Sequence, residues 1–140
     1  MTADELIEVF EHLETWEERF HLISDLGREL KPIADEERIE VNQVAGCTTR
    51  TWLTAHLVPG SPPRLEYRAD AEGPLVRGLV AVLLMPFQGK TPEAVLATDP
   101  RPFIARLGLE AALSPHRRAG MEAFLLRVRA LASEAQAARA

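Results

Sequence analysis

Thr51-Trp52-Leu53-Thr54-Ala55-His56-Leu57 and Leu65-Glu66-Tyr67-Arg68-Ala69-Asp70, joined through Pro59-Gly60-Ser61-Pro62-Pro63, decide the fold. In the first run Thr51, Leu53, Ala55 and Leu57 alternate with Trp52, Thr54 and His56. In the second, Leu65, Tyr67 and Ala69 alternate with Glu66, Arg68 and Asp70. A period of two sends successive side chains to opposite faces of a strand. The connector is rich in turn formers, so the two runs read as an antiparallel hairpin. A third, shorter strand is predicted around Val41 to Val44.

Upstream of the hairpin the period changes to that of a helix. Thr2 and Glu5 form a capping-box pattern, and Leu6, Phe10 and Leu13 follow at helical spacing. Thr15 and Glu18 repeat the signature, with Trp16, Phe20, Ile23 and Leu30 near one face before Pro32 bars continuation. Two N-terminal helices are predicted, followed by a polar loop from Lys31 to Arg38 that carries Asp35-Glu36-Glu37.

Downstream, Leu75 to Met85 is apolar almost all round, the pattern of a buried helix, with Pro86 and Gly89 ending it. Thr91-Pro92, Asp99-Pro100 and Ser114-Pro115 each place a capping residue before a proline whose missing N–H costs nothing at a helix start. Gly108 closes the helix of Phe103, Ile104 and Leu107. The last helix shows a stripe of Met121, Phe124, Leu125, Val128 and Leu131, and the alanine-rich tail, residues 133–140, is expected to fray. The architecture predicted is α+β: two helices, a small three-stranded antiparallel sheet, then about four helices packed on it.

The 140 residues form a single predicted domain, 1–140, with 46% hydrophobic and 26% charged residues, the composition of a packed globular chain. The longest apolar run, Leu79 to Phe87, has nine residues against the roughly 20 that a bilayer requires, so no membrane association is expected. The acidic start Met1-Thr2-Ala3-Asp4-Glu5 resembles neither a secretory nor a transit signal, and a cytoplasmic location is expected. A net charge of −5 gives no general reason to bind nucleic acid. The charge is uneven: residues 1–40 carry 13 acidic and 4 basic side chains, and residues 101–140 carry 3 and 7.

Most motifs of chemistry fail on inspection. Gly89-Lys90-Thr91 resembles the end of a phosphate-binding loop, but Leu84 stands where that loop needs its first glycine. The histidines His12, His21, His56 and His116 are not paired at helical metal spacing, and one cysteine makes no zinc or iron–sulfur ligand set, so neither metal nor cofactor is expected in this chain. Cys47 is different. It follows Gly46, which permits unusual backbone angles, at a turn into the first strand, and Thr48, Thr49 and Arg50 supply hydroxyls and a cation that can support a thiolate.

Gly46-Cys47 followed by Trp52 resembles the Gly-Cys-x-x-x-x-Trp segment of the SufE family of sulfur acceptor proteins. Trp16-Glu17-Glu18-Arg19 with Leu26-Gly27 resembles that family's second helix, and Asp35-Glu36-Glu37-Arg38 its following loop. Leu75-Val76-Arg77-Gly78-Leu79, Gly89-Lys90-Thr91-Pro92-Glu93 and Leu113-Ser114-Pro115-His116-Arg117 resemble its later helices in the same order, so the likeness runs from about Phe10 to Ala132. This chain departs from the pattern at Thr48-Thr49, where the family commonly has Gln-Ser, and at Pro86.

The resemblance implies a SufE-like fold and a covalent sulfur carrier rather than an enzyme. Its partners would be a pyridoxal-phosphate-dependent, SufS-like cysteine desulfurase, which it stimulates, and a SufBCD-like iron–sulfur scaffold. Cys47 would carry the persulfide, Gly46 would be the loop hinge, Thr48, Thr49 and Arg50 would support the loop, and Arg117 would stabilise thiolate or persulfide. Two other readings stand beside it. Cys47 could serve a thiol redox protein, although the chain has no resolving cysteine, or the domain could dock on a desulfurase and regulate it without carrying sulfur.

Overall fold

The computed structural model describes residues 1–139. Both capping boxes form. Thr2 Oγ1 accepts from the Glu5 N–H at 3.2 Å at the start of α1 (Ala3–His12), and Thr15 Oγ1 accepts from the Glu18 N–H at 3.1 Å at the start of α2 (Trp16–Gly27). The hairpin is β1 (Thr51–Val58) paired antiparallel with β2 (Arg64–Ala71), Thr51 opposite Ala71 and Leu57 opposite Leu65. The helices that follow are α3 (Pro74–Leu84), α4 (Pro92–Ala97), α5 (Arg101–Leu107), α6 (Leu109–Ala112) and α7 (Pro115–Arg139).

The α+β class holds, and two expectations need correction. The sheet among the described residues has two strands, not three. The segment around Val41 to Val44 forms a short 3-10 turn, Glu40–Asn42, and touches β1 through one bridge, Gln43 to Trp52. Turn bonds from the Asn42 N–H to the Ile39 carbonyl and from the Gln43 N–H to the Glu40 carbonyl curl the backbone just where a ladder would have to begin. Five helices follow the sheet instead of about four, because left-handed Gly108 (φ 70°) both closes α5 and opens the single turn of α6. Helix α7 runs on into the alanine-rich tail as far as Arg139, and Ala140 lies outside the described residues.

Two of the proline pairs cap as expected: Thr91 Oγ1 accepts from the Ala94 N–H at 3.1 Å and Ser114 Oγ from the Arg117 N–H at 3.3 Å. At Asp99-Pro100 the cap position is Pro100, whose carbonyl accepts the first helical bond, and Asp99 Oδ1 accepts from the Arg101 N–H at 3.0 Å just outside it. Pro86 and Gly89 bound a tight turn after α3. From it the Gln88 side-chain amide exchanges two hydrogen bonds with Tyr67, at 2.7 and 2.9 Å, and Lys90 O and the Gly89 N–H bond both backbone groups of Leu65. Lys90 itself donates to Thr98 Oγ1 at 3.0 Å, so the lysine of the failed phosphate-loop pattern has a structural partner.

The core lies between the hairpin and the helices. Leu53, Leu65, Tyr67 and Ala69 from the strands meet Val82, Leu83, Leu84 and Phe87 from α3 and its turn, and Phe124 and Val128 from α7. Tyr67 Oη, buried there, donates to the Val128 carbonyl at 2.9 Å, and burial alone drives its pKa far above the usual tyrosine range. Helices α2 and α3 cross where Gly27 meets Gly78. The other face of β1 is also covered. Trp52 is buried, and the guanidiniums of Arg38 and Arg50 lie 5.1 and 5.8 Å from its ring centre. Arg38 and Arg77 both pair with Asp70 on β2, opposite Trp52, which ties the 31–43 segment and α3 to the sheet.

Candidate functional site

The loop 45–50 leaves and re-enters the fold at a narrow neck, closed by the Val44 N–H donating to the Thr51 carbonyl at 2.8 Å and by the Glu72 N–H donating to the Arg50 carbonyl at 3.0 Å. Gly46 has φ +92°, a backbone conformation that a side chain opposes, and a Cβ there would lie 3.1 Å from the Ala123 Cβ on α7. Glycine is therefore demanded twice, by the backbone turn and by the closeness of the helix. The turn directs Cys47 inward, half-buried against the core, where its Sγ–H donates to the Gly120 carbonyl at 3.5 Å.

Sulfur faces a cavity of about 320 Å³ between the loop, α3, α6 and α7. Its wall is apolar, built from Val76, Leu79, Val80 and Leu83 of α3, Leu109, Leu113, and Met121 and Phe124 of α7. Its mouth is polar, with Ser114, His116 and Arg117 at the start of α7 and Thr48 and Thr49 on the loop. The Arg117 side chain is exposed and has no ion pair or hydrogen bond among the described residues. Burial pushes the Cys47 thiol above its ordinary pKa, and the nearby Thr51 side chain pulls against that rise. At neutral pH the sulfur in this seat is a protonated thiol.

The fold thus gathers Cys47, Thr48, Thr49 and Arg117 around one cavity, with Gly46 turning the loop beside it, as their spacing in the sequence does not reveal. Arg50 is directed elsewhere: its guanidinium pairs with Glu72 on the far side of the neck and stacks on Trp52. Thr51, Gly120 and His116 join the site without having been assigned to it. Gly120 could have been noticed, because a glycine inside a strong helical stripe costs about 1 kcal/mol and needs a reason; here the cysteine rests against its bare face. Thr51 carried no such signal, since a β-branched residue at a strand start is unremarkable.

Among the described residues no group of histidine, cysteine and carboxylate side chains could hold a metal ion, and no helix is long and apolar enough to cross a membrane.

A family model described as a SufE Fe-S metabolism associated domain matches residues 4–132. An uncharacterized SufE-like protein of Rhizobium etli is 34% identical over 130 residues, covering 91% of this chain and 87% of that protein. The solution structure of a hypothetical protein from Thermus thermophilus superposes with a TM-score of 0.76 at 26% identity, over 98% of this chain and 99% of that one.

Proposed function

The chain belongs to the SufE family, whose members serve Fe-S metabolism, and from that premise we propose that Cys47 accepts sulfane sulfur from the persulfide of a pyridoxal-phosphate-dependent, SufS-like cysteine desulfurase. Sulfur would pass on to a SufBCD-like iron–sulfur scaffold, in the cytoplasm. The observation that supports this most is the seat of Cys47: the chain's only cysteine sits on a glycine-turned loop, folded against an apolar cavity, and the arginine at its mouth has no ion pair among the described residues.

In the transfer, the Cys47 thiolate attacks the terminal sulfur of the donor persulfide. A new S–S bond forms at Cys47 as the donor's S–S bond breaks, and the donor cysteine leaves as a thiolate. No net oxidation occurs. In its seat the thiol is protonated by burial, so the idle protein is a poor nucleophile; moving the loop outward removes the desolvation and restores ordinary acidity. Arg117 at the cavity mouth is placed to favour the anionic donor and the anionic product.

Incubated with cysteine and a desulfurase, the wild-type chain should gain about 32 Da, one sulfur atom, on Cys47, and dithiothreitol should release it as sulfide. Cys47→Ser should fold and bind the desulfurase but gain no mass and stimulate little. Stimulation equal to wild type would make the domain a docking regulator. A Cys47 that reacts with peroxide but never with persulfide would make it a redox protein.

A further inference from the structure

Thr51 is 1% exposed, stands at the start of β1 and lines the same cavity as Cys47. Its hydroxyl donates to the Thr49 carbonyl at 3.0 Å. A hydroxyl has one proton and a freely turning C–O bond, so it can change acceptor without any movement of the backbone. The protonated Cys47 sulfur needs no donor, because it donates to the Gly120 carbonyl. Once ionised it loses that bond and is left facing a carbonyl oxygen, which opposes its charge. It then lacks a fixed donor.

We propose that Thr51 is a positioning residue for Cys47: its buried hydroxyl turns from the Thr49 carbonyl to the sulfur when the sulfur loses its proton, and so holds the ionised atom in its seat. The proton of Cys47 goes to solvent, and Thr51 keeps its own throughout. The other groups around the sulfur do not fill this role. Arg50 is committed to Glu72, and His116 and Arg117 stand exposed at the mouth. Helices α3 and α6 present only aliphatic side chains to the cavity. Thr48 and Thr49 travel on the same loop as the sulfur, whereas Thr51 is anchored in the strand by the bond from Val44. The direction in which Thr51 acts on the Cys47 pKa, downward against burial, agrees. This role rests on the sulfur-carrier reading for its use in transfer, but not for its measurement.

The test is the rate of Cys47 alkylation by iodoacetamide from about pH 6 to pH 11 in wild type, Thr51→Val and Thr51→Ser. Thr51→Val keeps the shape and removes the hydroxyl. It should slow alkylation about three- to tenfold near pH 8 and converge on wild type at the alkaline end, as a raised pKa requires. Thr51→Ser should stay within about twofold of wild type. A Thr51→Val profile that superimposes on wild type, a slowing of equal size at every pH, or a serine variant as slow as the valine one would overturn the assignment. Should the valine variant not fold by circular dichroism, Thr51→Ala read the same way decides. Sulfur uptake by wild type, followed by mass with a desulfurase, separates the two ideas. A shifted profile without uptake supports Thr51 and removes the carrier, and uptake with an unshifted profile removes Thr51 alone.

Discussion

The Cys47 Sγ and the Gly120 carbonyl oxygen stand 3.5 Å apart, so the loop is fastened to α7 through the sulfur itself. The bond exists only while the thiol keeps its proton. Burial raises the folded-state pKa above the ordinary thiol value of 9.0, and an acid whose pKa is raised by folding stabilises the fold fully below its unfolded pKa. That contribution is lost as pH rises through the folded value. Thermal midpoints measured near pH 7 and pH 10 should therefore fall further in wild type than in Cys47→Ser, whose hydroxyl does not titrate there. An equal fall in both would mean that the sulfur's proton has no part in holding the loop.

Gly46→Ala addresses the seat from its other side. A positive φ costs a side-chain-bearing residue about 1 kcal/mol, and the new Cβ would press on Ala123 at 3.1 Å. The loop should spend more time outside the cavity, and Cys47 should alkylate about fivefold faster at pH 8 because it escapes desolvation. An unchanged rate would show that retraction does not depend on this glycine.

Arg117→Ala should leave the thermal midpoint within about 1 °C of wild type, since the guanidinium makes no ion pair among the described residues. Sulfur loading from an anionic persulfide should slow about three- to tenfold at low salt, with the gap narrowing as salt screens the field. Loading at the wild-type rate in low salt would remove Arg117 from the site.

Gly78→Ala is the severe case. A Cβ on Gly78 would stand 2.0 Å from the Ile23 carbonyl oxygen, and one on Gly27 would stand 2.7 Å from the Gly78 nitrogen, so backbone meets backbone where α2 crosses α3. No rotamer relieves such a contact, and the helices must part. A loss of more than about 3 kcal/mol in denaturant unfolding is expected, with Cys47 chemistry intact in whatever fraction folds. A change below about 1 kcal/mol would mean that the two helices separate at little cost.

Local rules carried the reading of the sequence a long way. The two capping boxes, the period-two runs of the hairpin and the threonine– and serine–proline starts depend on neighbours a few residues apart, and each forms as the spacing implies. The third strand failed because Val41 to Val44 has apolar residues but no alternation long enough to resist two turn bonds. Cys47 stood out by being single and preceded by glycine. The cavity it faces did not, because its walls come from segments at least 58 residues apart in sequence, Cys47 and Thr51 at one end and Leu109 to Phe124 at the other. Arg50 illustrates the opposite error: nearness in sequence suggested support for the sulfur, yet strand geometry turns it toward Glu72.

Gln88 has a consequence for how this small sheet meets other proteins. Its side-chain amide offers Tyr67 one acceptor and one donor, the same pair that a neighbouring strand would present, and the Gly89–Lys90 backbone does likewise for Leu65. The open margin of β2 is plugged at these positions by a strand mimic made from a single residue and a turn. An incoming chain finds no free ladder there, so self-association by strand addition and recruitment of an extended peptide are both blocked along that margin. Along that margin a partner meets a turn and side chains rather than a strand edge, whereas Cys47 lies on a loop packed against α7.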